Sequence, residues 1–429
     1  MSNAAAKKAN ELLDTIAKHG VQTVLLRYGT AHASIPPERL DAAALLEGIA
    51  LEPGTTLVPD LDSAHLDPFA AAPALVLVCD LLDAADEDPR RVAKRAEARL
   101  TASGFADSLH VGSELRYYVF DEVAYENAPD ATGYQLDAIA ERELEAIRAE
   151  VLGALKASGV EAGVQRSVAG APGQTALELR AKPLTRAADS VFATKIAVKA
   201  VAARHGKSAT FMPKPLAGSA GSALRVRMSP NKDGKSPFFD KDGWAAASQT
   251  MLFFIGGLLA HADSLLALCA PSANSYTHFA SLDVPLLLAF GRGNAATAVT
   301  VDAPGRDDAK TPRVEFRAAD LSANPYLAFA ALLCAGLDGL ARRTDPISSG
   351  FGPLETGATR RPAKPQFRGL APHLGAALDA LEKDRAYLTE GGVFGDAFLR
   401  RRSEALRANE IAAFWGRPHP LEYALTYEC

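Results

Sequence analysis

Three short stretches carry the residues best placed to do chemistry. In LRVRMS (224–229) polar and apolar residues alternate. An extended backbone therefore puts Arg225, Arg227 and Ser229 on one face and Leu224, Val226 and Met228 on the other. GSELRYYVF (112–120) likewise puts Glu114, Arg116 and Tyr118 on a shared face, and RVEFRAA (313–319) carries Glu315 and Arg317. Taken alone, LRVRMS is an amphipathic strand with a solvated basic face. Turned inward, its arginines favour an anion, a carboxylate or a phosphate, because a guanidinium presents fixed donors.

Metal and thiol chemistry find less support. The four cysteines, Cys79, Cys269, Cys334 and Cys429, lie far apart, with no C-x-x-C pair, and no two of the nine histidines fall within five residues. A zinc site of locally spaced ligands and a disulfide framework are both disfavoured. The net charge of −5 is spread along the chain, so no basic stripe argues for nucleic acid. The longest apolar run, MLFFIGGLLA (251–260), is about half a membrane span. The N-terminus is charged and helical in pattern, unlike a secretion signal, and the chain is read as cytoplasmic, with no membrane partner.

The elements that must position these residues follow from periodicity. Leu12, Leu13 and Ile16 mark an amphipathic helix, VQTVLLRY a half-buried strand and ALVLVCDLL a buried one. The charged stretch AADEDPRRV (84–92) is a boundary, with Asp and Pro opening a helix through AKRAEARLTASG. Beyond it the strands include LRYYVF, ALELRAK, ALRVRMS, TAVTVD and RVEFRAA, and helices are predicted over 135–158, 243–266 and 323–342. The Gly-, Pro- and Ser-rich 344–368 is a loop. Helices do not alternate one per strand, so the chain is α+β with a mainly antiparallel sheet.

Several stretches, in order over the whole chain, resemble the glutamine synthetase family in its type I layout. They are GSELRYYVF, GQTALELR (173–180), ARHGKSATFMPKPLAGSAGSALRVRMS (203–229), APSANSYTHF (270–279), RVEFRAADLSANPYLAFAALLCAGLDGL (313–340), GGVFGDAFL (391–399) and RPHPLEYAL (417–425). The resemblance implies a small β-grasp-like N-terminal domain over 1–86. It also implies a larger domain over 87–429, whose curved antiparallel sheet forms a partial barrel flanked by helices. It further implies hexameric rings, often stacked as dodecamers, and ATP-dependent ligation of a carboxylate to an amine, with two or three Mg²⁺ or Mn²⁺ ions clamping the phosphates.

The motif positions depart from that pattern. The family's Glu-x-Glu is Glu114-Leu115-Arg116, and its glutamate ahead of Gly-Gln falls at or near Ser167. Another metal glutamate falls on Ala176, with Glu178 two residues on and on the same strand face. The metal histidine falls on Arg225 and a second histidine on Arg227. An arginine of the NSY motif is His278, and two further substrate arginines are lost in the stretch from Asn294 to Thr300. The flap glutamate corresponds to Asp283, the one catalytic candidate, for which a capping role in SLDVP is the competing reading. Substrate- or nucleotide-side positions survive at Ser229, Lys310, Arg313 and Arg317, and metal-type carboxylates at Glu114 and Glu315.

These substitutions imply that Arg225 occupies the place of a divalent ion between Glu114 and Glu315, with Arg116 and Arg227 as further metal-replacing or anion-binding cations. No metal or cofactor is then expected. The expected function is a non-catalytic or regulatory relative that binds a small anion, as a ring or with an active paralogue. The alternative is a divergent ATP- and Mg²⁺-dependent carboxylate–amine ligase of the γ-glutamyl-amide type. A third possibility is a purely structural oligomer.

Overall fold

Apolar residues at helical spacing give α1 (Asn3–Lys18), whose Ala9, Leu12 and Ile16 are buried against the first sheet. The structure, a computed structural model, describes residues 3–29, 31–52, 54–84, 86–127, 132–168, 171–282, 286–302, 312–354 and 367–415. That first sheet is built from β1 (Thr23–Tyr28), β2 (Ala31–Ile35), β3 (Ile49–Glu52), β4 (Thr55–Leu66) and β5 (Ala74–Leu81), in the order β2-β1-β5-β4-β3. A short helix, α2 (Ala42–Glu47), is capped by Asp41. The predicted strands VQTVLLRY and ALVLVCDLL are β1 and β5, and they pair parallel. Val24, Leu26, Leu75, Leu77 and Cys79 fill a core separate from the main one.

Asp88 and Pro89 open α3 (Pro89–Ala102) as the sequence predicts, the Asp88 carboxylate accepting from the Arg90 amide. The second residue of that helix ties the first sheet to the helices of the larger unit. The guanidinium of Arg90 is buried and donates to Asp60 of β4 at 2.6 Å and Asp80 of β5 at 2.7 Å. It also donates to Asp189 at 3.0 Å.

The remaining chain builds a nine-stranded sheet curled into a half-barrel, with helices packed on it. Its elements begin with β6 (Ser108–Asn127), β7 (Thr132–Ala138), α4 (Glu141–Ala157), β8 (Ala162–Ser167), β9 (Gln174–Pro183) and α5 (Leu184–Arg204). Next come β10 (Ser208–Thr210), β11 (Leu224–Asn231), α6 (Gln249–Ala260), α7 (Ala262–Cys269) and α8 (Ala273–Ala280). Then follow β12 (Leu287–Arg292), β13 (Thr297–Asp302), β14 (Arg313–Ala319) and α9 (Pro325–Arg342), before α10 (Leu374–Lys383), α11 (Ala386–Thr389) and α12 (Asp396–Leu406). The main path is β12-β13-β14-β11-β6-β9-β8, with β7 and β10 also pairing β6. All pairs in it are antiparallel except β12 with β13.

Two helix expectations need correction. Residues 135–138 of the segment predicted helical belong to β7, because they extend the long hairpin with β6; the helix starts at Glu141. The helix predicted over 243–266 starts at Gln249, behind a Ser248 cap, and breaks at His261 into α6 and α7, bent by 73°.

Helix α9 is apolar on all sides because it is surrounded. It is long and apolar enough to cross a membrane by composition, yet its residues are buried among α3, α5, α6 and α7. Its approach to α6 depends on paired glycines. A Cβ on Gly339 would lie 2.3 Å from the Phe253 carbonyl oxygen and 2.5 Å from the Gly257 nitrogen, both rigid backbone. Gly339→Ala should therefore force the helices apart and cost about 2 kcal/mol. Urea denaturation is the check, and an unchanged midpoint would show that the contact is looser than described.

Candidate functional site

Strand register brings the charged residues together before any side-chain geometry is considered. Across β11, β6 and β9, Arg225 stands opposite Glu114, and Glu114 opposite Glu178. One step along, Arg116 of β6 and Arg166 of β8 both stand opposite Ala176 of β9. On the other side of β11, Arg227 stands opposite Glu315, which in turn faces Thr300 of β13. Burial along β11 alternates strictly: Leu224, Val226, Met228 and Pro230 are buried, while Arg225, Arg227 and Ser229 are half-buried.

Two carboxylates directly opposite each other repel unless cations lie between them. Here the guanidiniums do so. Glu114 is only 1% exposed. Its Oε1 accepts from Arg116 Nε at 2.8 Å, with Arg225 Nε at 3.5 Å; its Oε2 accepts from Arg166 Nη2 at 3.0 Å, with Arg227 Nη2 at 3.7 Å. Arg227 also reaches Glu178 at 3.6 Å and Glu315 Oε2 at 2.8 Å, while Arg317 donates to Glu315 Oε1 at 2.8 Å. The methyl side chain of Ala176 leaves room for Arg116 and Arg166 to flank Glu114.

The electrostatics follow from this crowding. Burial pushes the Glu114 carboxyl upward, but the charges of Arg225 and Arg116 and the hydrogen bonds from Arg116 and Arg166 outweigh it, holding the group down at about 2. Arg225 is lowered to about 10, by burial first and then by repulsion from Arg317 and Arg116, against the attraction of Glu114 and Glu315.

A hard divalent cation takes six or more oxygens. Both oxygens of Glu114 and both of Glu315 are engaged by guanidiniums, and among the described residues no three His, Cys, Asp or Glu side chains are grouped to hold an ion. This donor set does not fit one.

The glutamine synthetase catalytic domain, as a family, matches residues 86–426. The chain is 34% identical over 473 residues to the glutamine synthetase of Rhizobium meliloti (strain 1021), covering 98% of this chain and 99% of that protein. This chain belongs to the glutamine synthetase family. It is 35% identical to the Pseudomonas aeruginosa glutamine synthetase over 409 residues, 86% of this chain and 85% of that one. The fold is similar to that of the Plasmodium falciparum glutamine synthetase, with a TM-score of 0.86 at 20% identity over 100% of this chain and 99% of that one.

Within this glutamine synthetase fold, Glu114, Arg116, Arg225, Arg227, Glu315 and Arg317 come together as one cluster. Arg227 contacts both Glu114 and Glu315, while Arg225, expected between the same two carboxylates, contacts Glu114 and is attracted by both. The β11–β14 register sets Arg227 opposite Glu315, and the β11–β6 register sets Arg225 opposite Glu114. Ser229 lies further along the same face, opposite His110, and Arg313 stands opposite Asp302 at the start of β14. Asp283 and Lys310 lie outside the described residues.

His278 is buried on α8 and packs on Gly221, where a Cβ would come within 1.9 Å of its Nδ1. Burial, then Lys214 and Arg116, lower it to about 4, so the ring is neutral at physiological pH. The sequence reading missed Arg166. It lies one residue from Ser167, and its pairing opposite Ala176 brings its guanidinium to Glu114.

Proposed function

We propose that this member of the glutamine synthetase family has lost metal-dependent glutamine synthesis and acts as a small-anion-binding, regulatory relative. The observation that carries the reading is the occupation of every Glu114 and Glu315 oxygen by a guanidinium. A guanidinium holds an anion in place but cannot exchange ligands or bridge two phosphates as a shared ion does. In this reading Arg116, Arg225 and Arg227 replace the ions, Arg313, Arg317 and Ser229 face the ligand, and neither metal nor cofactor is required. Residues 1–86 form the β-grasp-like unit and 87–429 the unit with the catalytic fold. The protein works in the cytoplasm as a hexameric ring or dodecamer, alone or with an active paralogue.

A second reading is favoured by the relatives, which carry the name glutamine synthetase over nearly their whole length. It is a divergent carboxylate–amine ligase using ATP and Mg²⁺, with Asp283 assisting deprotonation of the amine and Lys310 on the nucleotide side. Purified protein given ATP, Mg²⁺, glutamate and ammonium, then a panel of other carboxylates and amines, is expected to release no phosphate above background. Arg225→His alone is expected to remain inactive, because Arg116, Arg166 and Arg227 still occupy the carboxylates. Glutamine formation by either protein overturns the first reading in favour of the second.

A further inference from the structure

A cavity of about 780 Å³ lies where the first sheet meets α5 and the turn after α4, and none of the residues of the half-barrel cluster lines it. We infer that this cavity is a second binding site, which takes an organic anion with a flat apolar body and seats its acidic group on Arg27.

The walls are held in place by contacts already present. Arg27 at the end of β1, Asp62 and His65 of β4 and Val78 of β5 line one side, and the face of α5 from Arg186 to Lys199 lines the other. Arg186 donates to Asp60 of β4 at 2.7 Å, and Arg90 joins Asp60 and Asp80 to Asp189 of α5. The two sides are thereby pinned, and the cavity stands preformed, within the roughly 300–1,000 Å³ usual for small organic ligands.

The groups left over set the chemistry of the ligand. Arg27 is half-buried and makes no hydrogen bond or ion pair among the described residues. Burial lowers it from its ordinary range, and attraction by the more distant Asp67 only partly offsets this. The lining carboxylates are already engaged, Asp62 by Lys8 and Asp189 by Arg90 and Arg186. Lys182 and Lys195 also line the cavity and donate to the carbonyls of Gly159 and Leu321. Burial, then the charge of Arg27, lower His65 against its bond to the Ser63 carbonyl, so the ring is neutral at physiological pH and adds no second charge beside Arg27.

A half-buried guanidinium without a partner is costly, and a carboxylate or phosphate relieves it through paired hydrogen bonds. Much of the remaining wall is apolar: Val78, Val160, Phe192, Ala193, Ile196 and Tyr326, with the Phe192 and Tyr326 rings 5.3 Å apart. An inorganic ion would leave that wall wet, and a neutral hydrocarbon would leave Arg27 desolvated and unpaired. An acidic group joined to a flat ring answers both.

The test is calorimetric titration of the full chain with naphthoate, with naphthylmethanol as the same body without charge and acetate as the charge without a body. Naphthoate is expected to bind one per chain, and the alcohol and acetate each at least tenfold more weakly. Arg27→Gln should weaken naphthoate at least tenfold without lowering the melting temperature, because it removes a charge that has no partner to lose. Ala193→Phe should fill the cavity and weaken binding as much while keeping a cooperative melt. Arg401→Gln, which removes a surface cation paired with Glu87, should change nothing. Naphthyl phosphate binding more tightly than naphthoate would assign the acidic group as a phosphate, and weaker binding would assign it as a carboxylate; both support the site.

Absence of saturable naphthoate binding overturns the inference, as does the alcohol binding as tightly as the acid. Binding kept in Arg27→Gln but lost in Arg225→Gln would put the ligand in the half-barrel and overturn it too. A marked fall in the melting temperature of Arg27→Gln would show that the guanidinium serves the fold, with the same consequence. Phosphate release from ATP bears on the half-barrel alone and leaves this site standing.

Discussion

Glu114→Gln is expected to lower folding stability by about 4 kcal/mol, because breaking a buried ion pair from one side leaves uncompensated charge. Four guanidiniums, from Arg116, Arg166, Arg225 and Arg227, would then face one another around an amide that can accept but cannot neutralise. The wild-type pH profile carries the same information. The Glu114 carboxyl falls from its ordinary 4.5 to about 2 on folding. A group depressed in the folded state contributes stability that is fully present above about 4.5 and is lost as pH falls toward 2. That shift corresponds to roughly 3 kcal/mol.

Urea denaturation between pH 3 and 7 should show the wild type losing this increment on acidification and the glutamine variant showing a flatter profile. Adding Arg225→Gln to Glu114→Gln should recover more than about 1 kcal/mol, the mark of directly interacting groups. A cost below about 1 kcal/mol for the single change would mean the arginines find water instead, and the cluster would lose its claim to be a closed internal charge system.

What the sequence made legible here follows from periodicity. Alternation in LRVRMS put Arg225 and Arg227 on a common face, and the observed burial of Leu224, Val226 and Met228 agrees. Asp88-Pro89 marked a helix start because its physics is local: a carboxylate accepting an amide, and a residue with no amide to lose. Long-range relations were less accessible. The β11–β14 register puts Arg227 opposite Glu315, and no property of either arginine announces it. Arg166 lies on a short strand whose side chains are mostly exposed, and the small side chain of Ala176 opposite it lets its guanidinium reach Glu114. The strong periodicity that follows Gln135 and Asp137 extends the predicted helix over them, whereas pairing with β6 holds them extended.

The break between α6 and α7 gives the second large effect. At that break His261 donates Nδ1 to Asp384 at 2.7 Å and Nε2 to Asp338 at 2.9 Å, and its ring stacks on Tyr387 with centroids 3.9 Å apart. Arg342 also binds Asp338, and the Ser264 hydroxyl bonds both Asp384 and Tyr387. An imidazole can donate from both nitrogens only when protonated. Burial opposes that charge, but the bonds to Asp338 and Asp384 outweigh it and raise the group from 6.5 to about 9. A group raised in the folded state contributes stability that is complete below about 6.5 and is lost as pH climbs through about 9.

The contribution is roughly 3 kcal/mol, for a side chain only 9% exposed. The melting temperature should therefore fall between pH 7 and 9.5. His261→Gln, which keeps one donor and no charge, should start lower and lose that alkaline slope. The residues joined here are 77 and 123 positions from His261, so the cluster fastens α6, α7, α9 and the end of α10 into one unit. An identical alkaline slope in the variant would show that the imidazole is neutral in the fold, one carboxylate then keeping the proton that the geometry assigns to His261.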